Sequence, residues 1–188
     1  MTRLNHTGCN FIDENVRLGT GSAVERHHII GAASWKKGAT APTEGFHWNY
    51  PYLAFQNARS DEAYYVIHVP HRRKAGTNIV ITIRWWYVGA PDAGKVLWKC
   101  DYKSSGCGDS PSFDDGQILK LSAGSHTTNQ IVCTTLAPEI LDANLTEDDD
   151  LALHIWRDGN DPLDTLAVEA RFMSVHVHFT MDKFGNDI

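Results

Sequence analysis

The chain has 188 residues, 17 basic against 23 acidic, giving a formal charge of −6, with 42% hydrophobic and 21% charged residues. A chain of this length buries roughly 70% of the surface its unfolded form exposes, which is enough for one core. The composition excludes a disordered or collagen-like chain. No run approaches the ~18 consecutive apolar residues of a helical membrane span, and an acid excess without a Lys/Arg-rich run argues against generic nucleic-acid binding.

In chain order, residues 1–45 come first and differ from the rest. Asn10, Asp13, Glu14, Asn15 and the small residues at 19–22 surround isolated apolar side chains, and 31–45 is rich in Ala, Gly and Thr. Such a segment buries too little apolar area to order itself. It reads as an extended N-terminal arm lying on another surface, with Phe11, Ile12, Val16, Leu18, Ile29, Ile30 and Trp35 as its contacts, because apolar residues in a polar arm need a partner. The first residues lack the apolar stretch of a secretory signal, so synthesis in a cytoplasm is expected.

From residue 62 the period is two. Residues 63–69 are aromatic and β-branched and stop at Pro70, which cannot donate to a ladder. In 78–87, Ile79, Ile81, Ile83 and Trp85 share one face while Thr82 and Arg84 share the other, a half-buried strand. After the turn cluster at 89–94, Val96, Trp98, Cys100 and Tyr102 alternate with Leu97, Lys99 and Asp101. Strands are also expected at 117–121, 130–136, 151–157 and 172–181. Residues 137–145, with Pro138 and Glu139 near the start, fit a helical turn or two. Seven or eight short strands with almost no helix predict an all-β fold, an antiparallel jelly-roll β-sandwich over 46–188.

Chemistry is sparse in this pattern. His176 and His178 share a strand face, and His154 sits on a strand that could neighbour theirs, but no zinc motif accompanies them. The pair reads as a polar outer face or a subunit contact, and the adjacent His27 and His28 should diverge; no metal and no cofactor is expected. The basic knot at 71–74 and the acidic runs at 147–150 and 158–161 read as solvated turns. Arg157 is expected to pair with Asp164 or Glu169 and hold the loop between the last two strands. Trp85, Trp98 and Trp156 read as core or interface residues rather than a sugar platform. Cys100 and Cys107 flank a turn and come into consideration as a disulfide, and Cys9 on the arm as an intermolecular one. No G-x-S-x-G elbow, P-loop or dinucleotide fingerprint occurs.

The C-terminal third, Asp148-Asp149-Asp150-Leu151-Ala152-Leu153-His154-Ile155-Trp156-Arg157-Asp158 followed by Asp164, Glu169-Ala170 and Val175-His176-Val177-His178-Phe179, resembles the closing two strands of a jelly-roll domain common in tailed-bacteriophage virion proteins. The resemblance extends over about residues 46–181, with Glu169 standing where that family more often has Asp. It implies a virion structural protein and no catalytic residues. The leading expectation is a capsid cement or decoration protein on the capsid exterior, a homotrimer that stabilises the assembled shell by binding the major capsid protein. The alternative is a tail-fibre or baseplate module that binds host glycans, which requires aromatic residues on a solvent face. An enzyme, either a small glycosidase or a metal-dependent cupin, would need a deep pocket with paired carboxylates or converging histidines.

Overall fold

The computed structural model describes residues 16–17, 23–70, 73–89, 94–110, 116–121, 127–181 and 183–184. Its strands are β1 (Val16–Arg17), β2 (Val24–Gly31), β3 (Lys36–Lys37), β4 (Thr43–His47), β5 (Tyr50–Phe55), β6 (Glu62–His68), β7 (Val80–Trp86), β8 (Leu97–Ser105), β9 (Gly116–Leu121), β10 (Val132–Thr135), β11 (Asp150–Arg157), β12 (Ala170–Met181) and β13 (Lys183–Phe184). All pairings are antiparallel. One large sheet runs β10-β7-β12-β5-β4 with β2 also on β12, the other large sheet runs β3-β6-β11-β8-β9, and β1 pairs with β13 in a separate two-stranded ladder. The two sheets pack face to face as the expected jelly-roll sandwich, with alternate residues of each strand turned inward.

The core is aromatic at its centre. Trp85 of β7 and Phe172 of β12 meet Trp98 of β8 and Phe55 of β5, with ring centroids 5.2–6.4 Å apart. Trp85 spends its indole N–H on Thr134 Oγ1 at 2.9 Å, whereas the equally buried Trp98 keeps its indole N–H without a hydrogen-bond partner. Ile81, Ile83, Leu151, Leu153 and Ile155 fill in around these rings, as alternation predicted.

Strand β12 serves two sets of neighbours. Its first residues pair with β5, its later ones with β2, and β7 runs along both. The register with β7 slips between Phe172 and Ser174, leaving Met173 as an extra residue. Such a bulge inverts the alternation. Phe172 points inward before it, and Val175 and Val177 point inward after it, which places His176 and His178 on the outer face.

Two expectations are corrected here. The described part of the proposed arm is woven into the sandwich: β2 pairs with eight residues of β12, β3 with β6, and the boundary expected at residue 45 falls inside β4. Gly38 N–H donates to Glu62 O and Glu62 N–H to Thr40 O, which continues that edge. The segment 137–145 contains one three-residue turn of 3₁₀ helix, Asp142–Asn144, and is otherwise extended, because Ile140 pairs with Ile79 and is fully buried there. Burying an isoleucine between sheets, worth roughly 1.5–3 kcal/mol, outweighs local helix preference.

Candidate functional site

Strands β4 and β5 form an edge hairpin whose last paired residues are His47 and Tyr50, so Trp48 and Asn49 alone make the turn. Trp48 takes φ 57°, a left-handed conformation in which its Cβ crowds the backbone and where glycine is preferred. That costs on the order of 1–2 kcal/mol. The side chain recovers nothing by packing, since it is 88% exposed. Phe46 and Tyr50, at 77% and 55%, flank it. Pairing places Tyr50 with His47 on the outer face and Phe46 with Pro51 on the reverse, so the tip is aromatic on both sides.

On the outer face the hairpin borders a cleft of about 130 Å³ lined by His47, Tyr50, Trp86, Asn129, Ile131 and Met173. The strain and exposure of the rim contrast with a braced floor. Tyr52 packs edge-on against Trp86 at 5.3 Å, and the Arg171 guanidinium lies 4.8 Å over the Tyr52 ring. Arg171 Nε–H donates to Glu169 Oε1 at 2.7 Å, and Gln56 donates to Glu169 Oε2 at 3.2 Å. Tyr52 crosses its strand partner Gly45, where a Cβ would stand 2.4 Å from Tyr52 Cζ; glycine is what the ring's position demands. Among the described residues, no carboxylate lines the cleft. A larger cleft, about 340 Å³, opens between the sheets toward the other end of β12, with Ile67, Ile79, Val177 and Phe179 among its mainly apolar walls.

Arg157 is fully buried and makes the predicted loop contact with Asp164: Nε donates to Oδ2 at 2.9 Å and Nη2 to Oδ1 at 2.7 Å. Its remaining N–H groups reach the carbonyls of Phe55, Val168 and Leu166. Glu169, the other candidate, instead serves Arg171 and Gln56, because it lies at the outer side of the strand start. The knot at 71–74 is not wholly solvated either: Arg73 is buried and holds Asp142 at 2.5 Å. Asp149 accepts from Ser104 Oγ and Asp158 pairs with Lys99, so acids of both runs work as loop pins.

Of the seven expected arm contacts, Ile30 and Trp35 are buried in this chain's own core. Trp35 packs 5.5 Å from both Phe172 and Tyr65, and the surface these residues needed is the sandwich itself. Ile29 is exposed on the outer side of β2. Phe11, Ile12 and Leu18 lie outside the described residues, as does the side chain of Val16. Cys100 and Cys107 are free thiols, which corrects the disulfide considered between them. No hairpin folds one onto the other: Cys100 points inward from the middle of β8 and Cys107 follows its end. Burial pushes the Cys100 thiol far up, so it is inert. Cys9 lies outside the described residues.

The histidines divide between the two sheets. His154 belongs to the outer face of the other sheet, sandwiched between Tyr64 at 4.4 Å and Trp156 at 4.7 Å, with Glu62 Oε2 3.2 Å from its Nε2. These three rings cover one another and offer no free platform between them. His27 and His28 do diverge, and that sends His27 to the outer face of β2 opposite His178. One ring nitrogen from each of His27, His176 and His178 lies within 4.8 Å of the others, on an open sheet face and not in a pocket. Burial, then the charge of Arg84, holds His176 below the ordinary imidazole range. Trp48 was not singled out from the sequence, although the aromatics at 46, 48 and 50 were an available signal, and His27 was named there without its partner His178.

No protein-family model matches the chain, and no curated protein does. Among solved structures, it is similar to an exo-β-1,3-galactanase from Phanerochaete chrysosporium crystallised with β-1,3-galactotriose, at 8% identity and a TM-score of 0.50, over 80% of this chain and 29% of that one. It is also similar to the CBM36-1 domain of a multidomain xylanase from the hindgut metagenome of Trinervitermes trinervoides, at 12% identity and a TM-score of 0.47 over 87% and 100% of the two chains. A family 35 carbohydrate-binding module from an environmental isolate follows at 11% and 0.48, over 86% and 98%. These likenesses concern the architecture: an antiparallel two-sheet jelly roll.

Proposed function

We propose that the chain is a non-catalytic binding module that takes a polysaccharide on the aromatic hairpin tip and the cleft behind it, as a tail-fibre or baseplate domain holding a host-surface glycan would. The observation that carries this reading is Trp48: a large ring in a left-handed turn position, almost wholly exposed. Backbone strain and an exposed apolar ring both oppose folding, so their coincidence is accounted for by a ligand and not by the fold. A flat ring edged by Tyr50 suits a pyranose, whose C–H face carries slight positive charge against the negative π face. His47, Asn129 and the Tyr50 hydroxyl lie at the cleft to meet sugar hydroxyls, the few oriented polar groups that such sites use.

The architecture is one that carbohydrate-binding modules share, and the ligand is argued from this chain's own residues. Among the described residues the cleft has no carboxylate and so no acid pair of glycoside hydrolysis, which supports binding without turnover. The capsid-cement reading, with its trimer and capsid-protein partner, drew on the seven apolar residues of the arm; two of these are spent inside the sandwich and one, Ile29, remains available among those described.

Affinity electrophoresis and pull-down against a panel of neutral and acidic polysaccharides test the reading. At least one polysaccharide should retard the wild-type chain and release the Trp48→Gly variant. Equal retardation of both, or retardation by none of the panel, overturns it.

A further inference from the structure

We infer that His27, His176 and His178 form a binding site for a borderline-soft divalent transition metal such as Zn²⁺, with Glu25 at its rim. The site is assembled from two strands. β12 supplies two imidazoles at i and i+2, turned outward by the bulge at Met173, and β2 supplies His27, the register partner of His178.

The ring contacts are difficult to satisfy with protons alone. His27 Nδ1 and His178 Nδ1 are 2.8 Å apart, and Glu25 Oε1 lies 3.1 Å from the same His178 nitrogen. An ionised carboxylate only accepts, so His178 must donate there, and His27 Nδ1 is left competing for that single proton. His176 Nε2 is buried without a hydrogen-bond partner. A cation in the middle answers all three lone-pair donors at once.

The donor set selects the ion. Three imidazoles suit Zn²⁺ and its neighbours in the first transition row, at bonds of about 2.0–2.1 Å. Such bonds set nitrogens about 3.4 Å apart around a tetrahedron, so the 2.8 Å pair of His27 and His178 opens while the wider separations, none above 4.8 Å, close as the exposed His27 ring rotates. Calcium requires six to eight oxygens, and one carboxylate does not supply them. The solvent side stays open for water or for Glu25. Arg84 lies on the same outer face and opposes the cation's charge, which the Glu25 carboxylate offsets. The site joins β2, which among the described residues pairs only with β12, to the sheet; it is independent of the glycan reading.

Isothermal titration of the full chain with ZnCl₂, with Co²⁺ absorption as a geometry probe, tests the site. One Zn²⁺ should bind per chain and Co²⁺ should give the intense visible bands of a tetrahedral complex. His27→Ala and His178→Gln should each weaken Zn²⁺ binding by more than the roughly tenfold that even supporting residues of a metal site are worth. His68→Ala, on the other sheet, should leave it unchanged, and circular dichroism should show all variants folded. Wild-type affinity in His27→Ala, uptake no tighter than that of Ca²⁺, or loss of binding in His68→Ala overturns the proposal.

Discussion

The Arg157 loop and the Trp48 hairpin treat an expensive residue in opposite ways. At Arg157 a charge is taken fully out of water, and every donor it has finds an acceptor, two on Asp164 and three on backbone carbonyls. At Trp48 an apolar ring is left in water on a strained backbone with nothing among the described residues to repay it. The first region is complete in itself and therefore structural. The second is incomplete in itself, and incompleteness is what a binding surface looks like before its ligand arrives.

The contrast can be broken most forcefully at the buried end. Arg157→Met should destabilise the fold by about 3–5 kcal/mol in urea denaturation, because the Asp164 carboxylate is then buried without its cation and keeps only the Leu97 N–H as a donor. Arg157→Met with Asp164→Leu should recover much of that loss; a double variant as unstable as the single one would mean that the carbonyl contacts, and not the ion pair, dominate. Next in size is Gly45→Ala. The added methyl drives Tyr52 off its seat against Trp86 and should cost about 1–3 kcal/mol as an overpacking effect, with polysaccharide retardation lost alongside. Retardation that survives would detach the cleft floor from the site.

Trp48→Gly sharpens the comparison further, since the two observables should move apart. Thermal stability should hold or rise by up to about 1 kcal/mol as the left-handed strain is relieved. Affinity for the polysaccharide should fall at least about tenfold, near 1.4 kcal/mol. A structural tryptophan would lose both together.

The smallest effect is one of pH. Burial alone would raise the Glu62 carboxyl, but hydrogen bonds from Tyr64 and the N–H groups of Ala39 and Thr40, with His154 beside it, hold it below its ordinary 4.5. A depressed carboxyl contributes stability that is present above pH 4.5 and lost as pH falls through the folded-state value. The melting-temperature difference between wild type and Glu62→Gln should therefore be steady at neutral pH and shrink on the acid side. A constant difference would show that Glu62 does not pin residues 39–40 through its charge.

The sequence disclosed the strands whose inward faces are continuous. Ile79, Ile81, Ile83 and Trp85 could be read directly, as could a loop-holding role for Arg157 with Asp164 or Glu169 as its partner, because both follow from spacing along one segment. Strand β2 was hidden for a physical reason: it covers little of the core, so of Val24–Gly31 a single residue, Ile30, is buried and no alternation results. The pairing of His27 was hidden with it, since its partner is 151 residues away. Trp48 was obscured by the general habit of tryptophan, for burial is its common fate and its exposure here depends on a two-residue turn.

The bulge at Met173 has a consequence for how this chain can change. β12 is in effect written in two reading frames, one for Ala170 to Phe172 and another from Val175 onward, and Met173 is the shift that joins them. Deleting that one residue would make Phe172 and Ser174 consecutive partners of Trp85 and Arg84, a ladder without a bulge in which Val175 and Val177 still face inward and His176 and His178 outward. A single-residue deletion is therefore absorbed at the bulge, whereas one inside a regular strand such as β11 would turn every later side chain to the opposite face.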